Sequence, residues 1–448
     1  MPGRRLNTPA ENRRPPGSRL KTLSTIGFAI LGAGLIAISY GLARFAFGLF
    51  VPPMRSDLGL GADLIGLIGA IPFISFVFAT LIAPLAASRL GARNAAVLSG
   101  GFGVGGLLLM SQAETALALG VGVAACGVCT GLMMPALTSA MQAAVRRSMH
   151  GRVTAVMNAG TSIGVAVAVP AALFLANAWR LAYVSFAVLA GIGVLAAWYF
   201  IPSVSRVKPA EAEPPPRIGL IQWTQLIRLS LFAFSMGFIA SGYWIFAPDL
   251  VVNLSDMPPD QTGWLWLAVG IAGLSGAVIS DLSDRNGPAI THALALVTIS
   301  ASLALLAASP GQLFLAIVSA VVFGVAYMSL SGLYLLTGIH LSPGRPSMGP
   351  VLPFIAIAIG QAAGAPAIGF AIQHLGYAHA FALFSTIGLF VATLSPLYPR
   401  HFDYGEDAHA ETTNGEHDEA ATPADETGHP ATDSPATDSP TTAGARPE

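Results

Sequence analysis

Residues 40–52 read Tyr-Gly-Leu-Ala-Arg-Phe-Ala-Phe-Gly-Leu-Phe-Val-Pro and close an apolar run that begins near Leu23. Arg44 is the only charged residue between Ser24 and Phe50. A helix rises about 1.5 Å per residue, so this run is long enough to cross a hydrocarbon layer of roughly 30 Å. A charge at that depth costs a few kcal/mol unless it faces a partner or a polar cavity. The stretch therefore predicts a membrane-spanning helix whose one arginine faces a partner or a polar cavity.

The helical spacing around Arg44 indicates which way its side chain faces. Its neighbours three and four residues away are small or aromatic: Tyr40, Gly41, Phe47 and Gly48. The same spacing turns three larger side chains toward lipid: Leu42, Phe45 and Leu49. Small residues beside an arginine favour a surface packed against other helices. Two interpretations stay open: Arg44 lines a substrate cavity, or it has a structural role, either as an anchor that reaches toward the lipid headgroups or as one member of a structural pair.

The composition predicts an all-α integral membrane protein. The chain has 448 residues, of which 54% are hydrophobic and 10% are charged, whereas soluble domains carry about 25% charged residues. The net charge of −1 gives no basis for binding nucleic acid. Cys126 and Cys129 lie inside an apolar segment, where we expect them to pack as small side chains. We expect neither a metal site nor a cofactor.

The hydropathy pattern predicts twelve spanning helices in two bundles of six. The predicted organisation is a disordered cytoplasmic arm (1–22), an N-terminal bundle (23–201), a cytoplasmic linker (202–228), a C-terminal bundle (229–399) and a disordered cytoplasmic tail (400–448). With the N-terminus inside, most lysines and arginines fall in inner loops, while the outer loops hold only Arg55 and Arg180. The positive-inside rule then places both termini in the cytoplasm of a protein integral to the plasma (cell inner) membrane.

Two short polar loops at matching places in the two halves suggest a family. One reads Ser-Asp-Arg-Asn-Gly over 283–287, and the other reads Ser-Arg-Leu-Gly-Ala-Arg over 88–93. Both resemble the Asp-Arg-x-Gly loop of the major facilitator superfamily, whose members are secondary transporters. The first-half loop departs from that pattern, with Ser88 in place of the Asp and Pro84 in place of a leading Gly. The resemblance implies a conformational brace formed by Arg89, Gly91, Asp284, Arg285 and Gly287.

Other motifs extend this resemblance over about residues 23–400. Glycines four residues apart permit close helix contact, and prolines bend helices; the residues concerned are Gly160, Gly164, Gly360, Gly364 and Pro366. The resemblance implies that the fifth and eleventh helices provide sliding surfaces. The pattern Tyr-Gly-x-x-Arg-Phe-x-x-Gly-x-x-x-Pro of the opening stretch looks most like the YbfB/YjiJ-type bacterial branch of the superfamily, which brings no settled substrate class.

The family's central cavity, between the two halves, is where we expect the substrate site. The polar and aromatic residues of the helices that line it are Arg44, Tyr40, Asn158, Tyr243, Trp244, Tyr327, Tyr334 and Gln361. For the aromatic residues, the alternative is an interfacial aromatic belt or helix packing, and for Gln361 it is a buried interhelical hydrogen bond. Asp249 lies near the outer end of the seventh helix, where we expect a solvated residue; the alternative is a proton carrier.

These observations predict a secondary transporter that moves a small organic solute by alternating access, and they exclude an enzyme. Arg44 favours an organic anion or polar metabolite as substrate. The alternative is efflux of mixed hydrophobic compounds, and a more distant one is a membrane sensor or scaffold that does not transport. The expected partners are a small-molecule substrate and the lipid bilayer. A coupling proton or ion is left open, and we expect a monomer.

Overall fold

Helices form nearly all of the chain that the structure describes. The computed structural model describes residues 23–203, 219–255, 257–275, 279–308, 312–342 and 348–399, and none of these lies in a β-strand. The principal helices are α1 (Thr25–Leu49), α2 (Ala62–Leu90), α3 (Ala92–Ser111), α4 (Ala116–Ala144), α5 (Arg147–Leu175), α6 (Trp179–Phe200), α7 (Leu220–Ser255), α8a (Gly263–Gly273), α8b (Ile279–Asn286), α9 (Pro288–Ala307), α10 (Leu313–His340), α11 (Met348–Leu375) and α12 (Tyr377–Thr393). A short helix, Val51–Leu58, follows α1.

Ten of the described helices are long and apolar enough to cross a membrane. α12 is a shorter apolar helix, and α8a and α8b occupy the place of the predicted eighth span. The predicted fold class is confirmed as all-α and membrane-spanning, while the count of twelve and the bundle boundaries stay predictions. The helix α7 begins at Leu220, earlier than the predicted start at residue 229. The predicted arm 1–22 and tail 400–448 lie outside the described residues.

The second half of α1 is wound as a π-helix over Ala37–Phe45, between two α-helical parts. This segment is buried against α4, α5 and α6, and its last residue, Phe45, also packs on Trp244 of α7. The prediction that three residues of α1 face lipid is wrong, since Leu42, Phe45 and Leu49 are only 2%, 5% and 2% exposed. There are two reasons: the wider π turns rotate the faces that α-helical spacing predicts, and other helices surround α1 here. π-helical turns inside α-helices frequently occur at functional sites.

The predicted glycine pairs hold matching helices together in the two halves. A Cβ on Gly164 would lie 2.2 Å from the carbonyl oxygen of Ala37 in α1. Similarly, a Cβ on Gly364 would lie 2.3 Å from the carbonyl oxygen of Phe238 in α7. Gly160 and Gly360 make equally close contacts with the same two helices. The α1–α5 and α7–α11 pairs are therefore built alike, and each pair lies within one predicted half.

The contact between the predicted halves uses other glycines. On α2, a Cβ at Gly66 would lie 2.5 Å from the carbonyl oxygen of Ala365 in α11, which puts Pro366 at this contact as well. One turn along α11, a Cβ on Gly369 would meet the carbonyl oxygen of Ala62 at 2.5 Å. The contact between the predicted halves thus includes α2 against α11, with Pro366 at the contact, whereas the predicted glycine pairs lie within each half. The sliding role of the fifth and eleventh helices stays a prediction.

The two family-like loops have the same backbone geometry. Gly91 links α2 to α3 with φ 79° and ψ 159°, and Gly287 links α8b to α9 with φ 81° and ψ 153°. Such positive φ values favour glycine, because other residues are strained there. Gly376, which links α11 to α12, has nearly the same geometry, with φ 80° and ψ 166°, so this type of turn is not confined to the two loops.

The two cysteines pack against glycines of α3, as predicted. Both are free thiols and buried. A Cβ on Gly106 would lie 2.7 Å from the sulfur of Cys126, and one on Gly103 would lie 2.9 Å from the sulfur of Cys129. The thiols therefore fill the space that these glycines leave between α3 and α4.

Candidate functional site

Arg44 lies deep in the protein, with only 8% of its surface exposed. Four aromatic rings surround its guanidinium. The carbon Cζ lies 4.6 and 4.7 Å from the ring centroids of Phe73 and Phe76 in α2, and 5.2 and 5.9 Å from those of Phe45 and Tyr40. Each desolvated contact of this kind contributes roughly 0.5–2 kcal/mol. Together the rings offset much of the cost of burying this charge.

The hydrogen-bond donors of Arg44 are less well satisfied than its charge. A guanidinium has five N–H donors. Within the described residues Arg44 makes one hydrogen bond, from Nη2 to Oε1 of Gln361 at 3.0 Å, and it forms no ion pair. Its Nε is buried and has no acceptor there. A buried donor without an acceptor costs about 1–3 kcal/mol. Arg44 can therefore still donate hydrogen bonds to the oxygen atoms of a ligand.

The hydrogen bond to Gln361 crosses from α1 to α11, and thus from one predicted half to the other. Gln361 is fully buried, and its Nε2 donates in turn to the hydroxyl of Tyr327 in α10 at 3.4 Å. Arg44, Gln361 and Tyr327 therefore form a chain of polar groups. This chain lies near the middle of α10 and α11, which is the depth predicted for the substrate site.

Three further ring contacts, which we call the aromatic wall, lie beside the polar chain and involve Phe45, Trp244, Trp266 and Tyr327. Trp244 of α7 packs on Phe45, with 4.2 Å between ring centroids, and stands edge-on to Tyr327 at 5.2 Å. Trp266 of α8a contacts Trp244 and donates from Nε1 to the carbonyl oxygen of Phe45 at 3.2 Å. That oxygen belongs to the π-helical segment. The wall therefore joins both halves around the charged group.

Five of the predicted site residues come together: Arg44, Tyr40, Trp244, Tyr327 and Gln361. The structure places the other three elsewhere. The hydroxyl of Tyr243 bonds to Ser319 at 3.2 Å, and Tyr334 contacts α9, as described next. Asn158 is exposed on α5, next to Met157, which is buried against α1.

A buried histidine that the sequence analysis did not select explains the position of Tyr334. His292 of α9 is fully buried, with Nε2 3.0 Å from the hydroxyl of Tyr334 and Nδ1 2.8 Å from the hydroxyl of Ser395. The Tyr334 hydroxyl also donates to the carbonyl oxygen of Phe232 at 3.2 Å. His292 stacks on Tyr398 at 4.5 Å. This network joins α7, α9 and α10 within the predicted C-terminal half and does not contact Arg44.

A second polar cluster closes one end of the interface between the halves. Arg55 of the short helix bonds to both Asp249 of α7 and Tyr377 of α12, and Tyr377 donates to the same carboxylate. Asn253 donates to the other carboxylate oxygen at 3.1 Å. We call the end of the protein that carries this cluster the Arg55 end. The expectation that Asp249 is solvated is wrong, since it is 1% exposed, because Arg55 reaches across the interface to pair with it.

A third cluster lies at the same end but within one predicted half. Asp57 accepts hydrogen bonds from Arg180 and from Nε1 of Trp179, the latter at 3.3 Å. The hydrogen bond from Arg180 lowers the pKa of the Asp57 carboxyl, because it favours the ionised form. Both charged side chains are more than a third exposed, so this pair contributes little to stability.

The residues of the predicted brace lie around the two glycine turns. Arg89 and Arg285 are exposed, and the side chain of Asp284 lies outside the described residues. The brace therefore stays a prediction.

Two surface grooves of the described chain lie away from Arg44. One of about 360 Å³ is bounded by α2 and α4, and another of about 270 Å³ by α1, α5 and α6. Both are lined by apolar residues and glycines, as expected of surfaces that face lipid tails. The Arg44 site itself is almost completely enclosed.

The chain belongs to the Major Facilitator Superfamily, whose family model matches residues 33–348. Among solved structures it is similar to the nucleoside transporter NupG, with 16% identity and a TM-score of 0.68 over 84% of this chain and 98% of that one. A POT family transporter in complex with 5-aminolevulinic acid shows 13% identity and a TM-score of 0.69, over 83% of this chain and 95% of that one. A bacterial homolog of the human lysosomal transporter Spinster, in an inward-facing and occupied conformation, shows 14% identity and a TM-score of 0.66, over 86% of this chain and 98% of that one. No curated protein matches this chain by sequence.

The match to the family model confirms the predicted superfamily and marks the chain as a membrane transporter. The narrower YbfB/YjiJ branch stays a prediction.

Proposed function

We propose that this protein transports a small organic anion by alternating access, with Arg44 as the counter-charge of the substrate. The observation that carries the proposal is a buried arginine at the interface of the halves, without an acidic partner in the described chain and with Nε lacking an acceptor. A carboxylate offers two coplanar oxygens to a guanidinium fork. The flat rings of Trp244 and Tyr327 suit a substrate with a planar apolar body.

The alternating-access part of the proposal rests on where the halves meet. Described polar contacts between them include those of Arg44, of the Phe45 carbonyl and of Arg55. These contacts lie between the middle of the protein and the Arg55 end, so we take the structure to represent a state closed at that end. By the positive-inside rule this is the outer end of a protein in the cell inner membrane with both termini in the cytoplasm. The exposed Arg89 and Arg285 turns would brace the opposite end.

Efflux of mixed hydrophobic compounds is the second candidate function. The aromatic rings around Arg44 favour it, because they bind apolar molecules without regard to charge. Under this alternative Arg44 is structural, satisfied by its rings and by Gln361. The two functions differ in whether binding depends on the charge of the compound.

A matched set of ligands separates the two functions. Benzoate, benzamide and benzamidine share a size and a planar ring but are anionic, neutral and cationic. A ligand that binds the folded state raises the melting temperature by mass action. We expect benzoate alone to stabilise the detergent-purified wild type, and Arg44→Gln to abolish the shift.

Arg93→Gln is the matched control variant. Arg93 also lies over an aromatic ring, 4.7 Å from that of Trp198, but it belongs to α3, outside the site. This variant should keep the full response to benzoate. Equal shifts with all three compounds, or a benzoate shift that survives Arg44→Gln, would reject the proposal in favour of hydrophobic efflux.

A further inference from the structure

Gln361 presents Arg44 with the kind of oxygen that a substrate carboxylate would present. Its Oε1 is a planar sp² oxygen and accepts from Nη2 of Arg44 at 3.0 Å. The two residues come from opposite halves, and both are buried. Within the described residues, Arg44 donates its one side-chain hydrogen bond to this oxygen.

The amide is held so that its oxygen, and not its nitrogen, faces the guanidinium. Gln361 Nε2 donates to the hydroxyl of Tyr327 at 3.4 Å. The backbone beside it is fixed as well, because Gly360 and Gly364 bring α11 into direct contact with α7. A side chain that is fixed at both ends serves Arg44 as a preformed acceptor.

We infer that Gln361 takes the place of one substrate carboxylate oxygen in the substrate-free protein, and so allows the empty transporter to close at the Arg55 end. This inference rests on the proposed function. The aromatic rings offset part of the burial of the charge, but without Gln361 the guanidinium would have no hydrogen-bond acceptor among the described residues of the closed state. An unsatisfied buried donor is unfavourable. With Gln361 in place the closed, empty state is accessible, and an entering carboxylate competes with the amide.

A consequence for transport follows. A carrier that can close only with substrate bound is restricted to exchange, whereas one that also closes when empty carries out net transport. Gln361 would thus be a positioning residue that determines which of the two modes operates.

The first test measures the closed population of the empty protein. Spin labels at Glu114→Cys and Asp260→Cys sit on exposed residues at the Arg55 end, one on each predicted half. The native Cys126 and Cys129 are 0% and 1% exposed and do not compete for label. Double electron–electron resonance without ligand then measures the distance between the two labels. The ratio of short to long distances gives the ratio of protein closed to protein open at the Arg55 end.

We expect Gln361→Ala to lower this ratio by about tenfold or more, the factor for one hydrogen bond to a charged group. Gln361→Glu should raise the ratio, because it places a carboxylate permanently on Arg44. Tyr243→Phe is the matched control: it removes a buried hydroxyl that bonds to Ser319 at 3.2 Å, away from Arg44 and Gln361, so the ratio should stay near the wild-type value.

The second test measures benzoate affinity in the same variants. Gln361→Ala should bind benzoate more tightly than wild type, because a competitor is gone, and Gln361→Glu should not bind it. If Gln361→Ala changes neither the distance ratio nor the affinity, the inference is overturned. Should this variant not fold, wild-type distances and benzoate binding in Gln361→Glu overturn it equally.

The failure of this inference is distinguishable from that of the proposed function. Loss of benzoate binding in Arg44→Gln together with unchanged Gln361 variants leaves the function standing and removes the role of Gln361. Benzoate binding that survives Arg44→Gln removes both.

Discussion

At the scale of single residues, the geometry of the Arg44 guanidinium matters as much as its charge. The rings of Phe73 and Phe76 lie 4.6 and 4.7 Å from its central carbon, which suits a planar delocalised cation. A lysine carries the same charge as a compact ammonium and does not offer two parallel donors.

Arg44→Lys therefore tests geometry separately from charge. We expect it to retain the preference for anions but to bind benzoate at least about tenfold more weakly than wild type, the value of one lost charge-assisted hydrogen bond. Isothermal titration against benzoate and benzamide checks both points. Wild-type affinity in Arg44→Lys would mean that a point charge suffices and that no bidentate contact forms.

The position of Tyr334 leads to a second prediction at this scale. Tyr334→Phe should leave benzoate binding unchanged, because the hydroxyl faces His292 and Phe232 and not Arg44. It should lower the free energy of unfolding by about 1–3 kcal/mol, since two buried groups lose a partner. Melting temperature and titration on the same preparation check this, and a loss of binding without a loss of stability would place Tyr334 in the site.

The sequence was informative at this scale where a residue was chemically unusual for its surroundings. Arg44 was selected because it is a lone charge in an apolar run; the structure buries it among aromatic residues, and its role in binding substrate stays a prediction. His292 was missed because a single histidine in an apolar helix carries no spacing signal. The pairing of Arg55 with Asp249 joins residues far apart in the chain, so no local pattern indicated it.

At the scale of helices, close glycine contacts hold α1 on α5 and α7 on α11. The spacing of these glycines predicted that they pack helices, but not which helices they touch, because the sequence does not give the neighbour of a face. The wrong assignment of lipid-facing residues on α1 has a related cause. The prediction applied α-helical spacing to Ala37–Phe45, and nothing in the sequence indicated that this segment is a π-helix.

A helix-scale prediction compares two glycines. Gly164→Ala should destabilise the protein by about 1–3 kcal/mol, because the new methyl group would lie 2.2 Å from the carbonyl oxygen of Ala37. Gly105→Ala, in α3, is the control: nothing lies within 4 Å of the added group, so this variant should be as stable as wild type or slightly more stable. Melting temperatures in detergent measure both. Equal melting temperatures would show that α1 and α5 are not in direct backbone contact.

At the scale of the whole molecule, described polar contacts between the predicted halves lie between Arg44 and the Arg55 end. The fold class and the superfamily could be predicted from hydropathy and from the loop motifs, because membrane-spanning length and positive-inside charge are global signals. The state of the transporter could not, because it depends on contacts such as Arg55 to Asp249, which form between distant parts of the chain.

The closing cluster gives a prediction at this scale. Asp249→Asn should favour opening of the Arg55 end, because it removes the charge that pairs with Arg55, and a hydrogen bond to a charged group contributes about 1.5–3 kcal/mol. The Glu114 and Asp260 spin-label pair should then shift toward long distances. Asp57→Asn breaks an exposed pair within one half and should leave the distances unchanged. If both variants behave alike, the Arg55 cluster does not hold the halves together.

Uptake into proteoliposomes shows whether an organic anion crosses the membrane through the Arg44 site. The compound should be the organic carboxylate that most stabilises the purified wild type, in radiolabelled form, tested with wild type, Arg44→Gln and Arg93→Gln. We expect saturable uptake by wild type and by Arg93→Gln, and none above empty liposomes by Arg44→Gln. Uptake by Arg44→Gln at the wild-type rate would contradict the account, since the anion would then cross without the charge proposed to bind it.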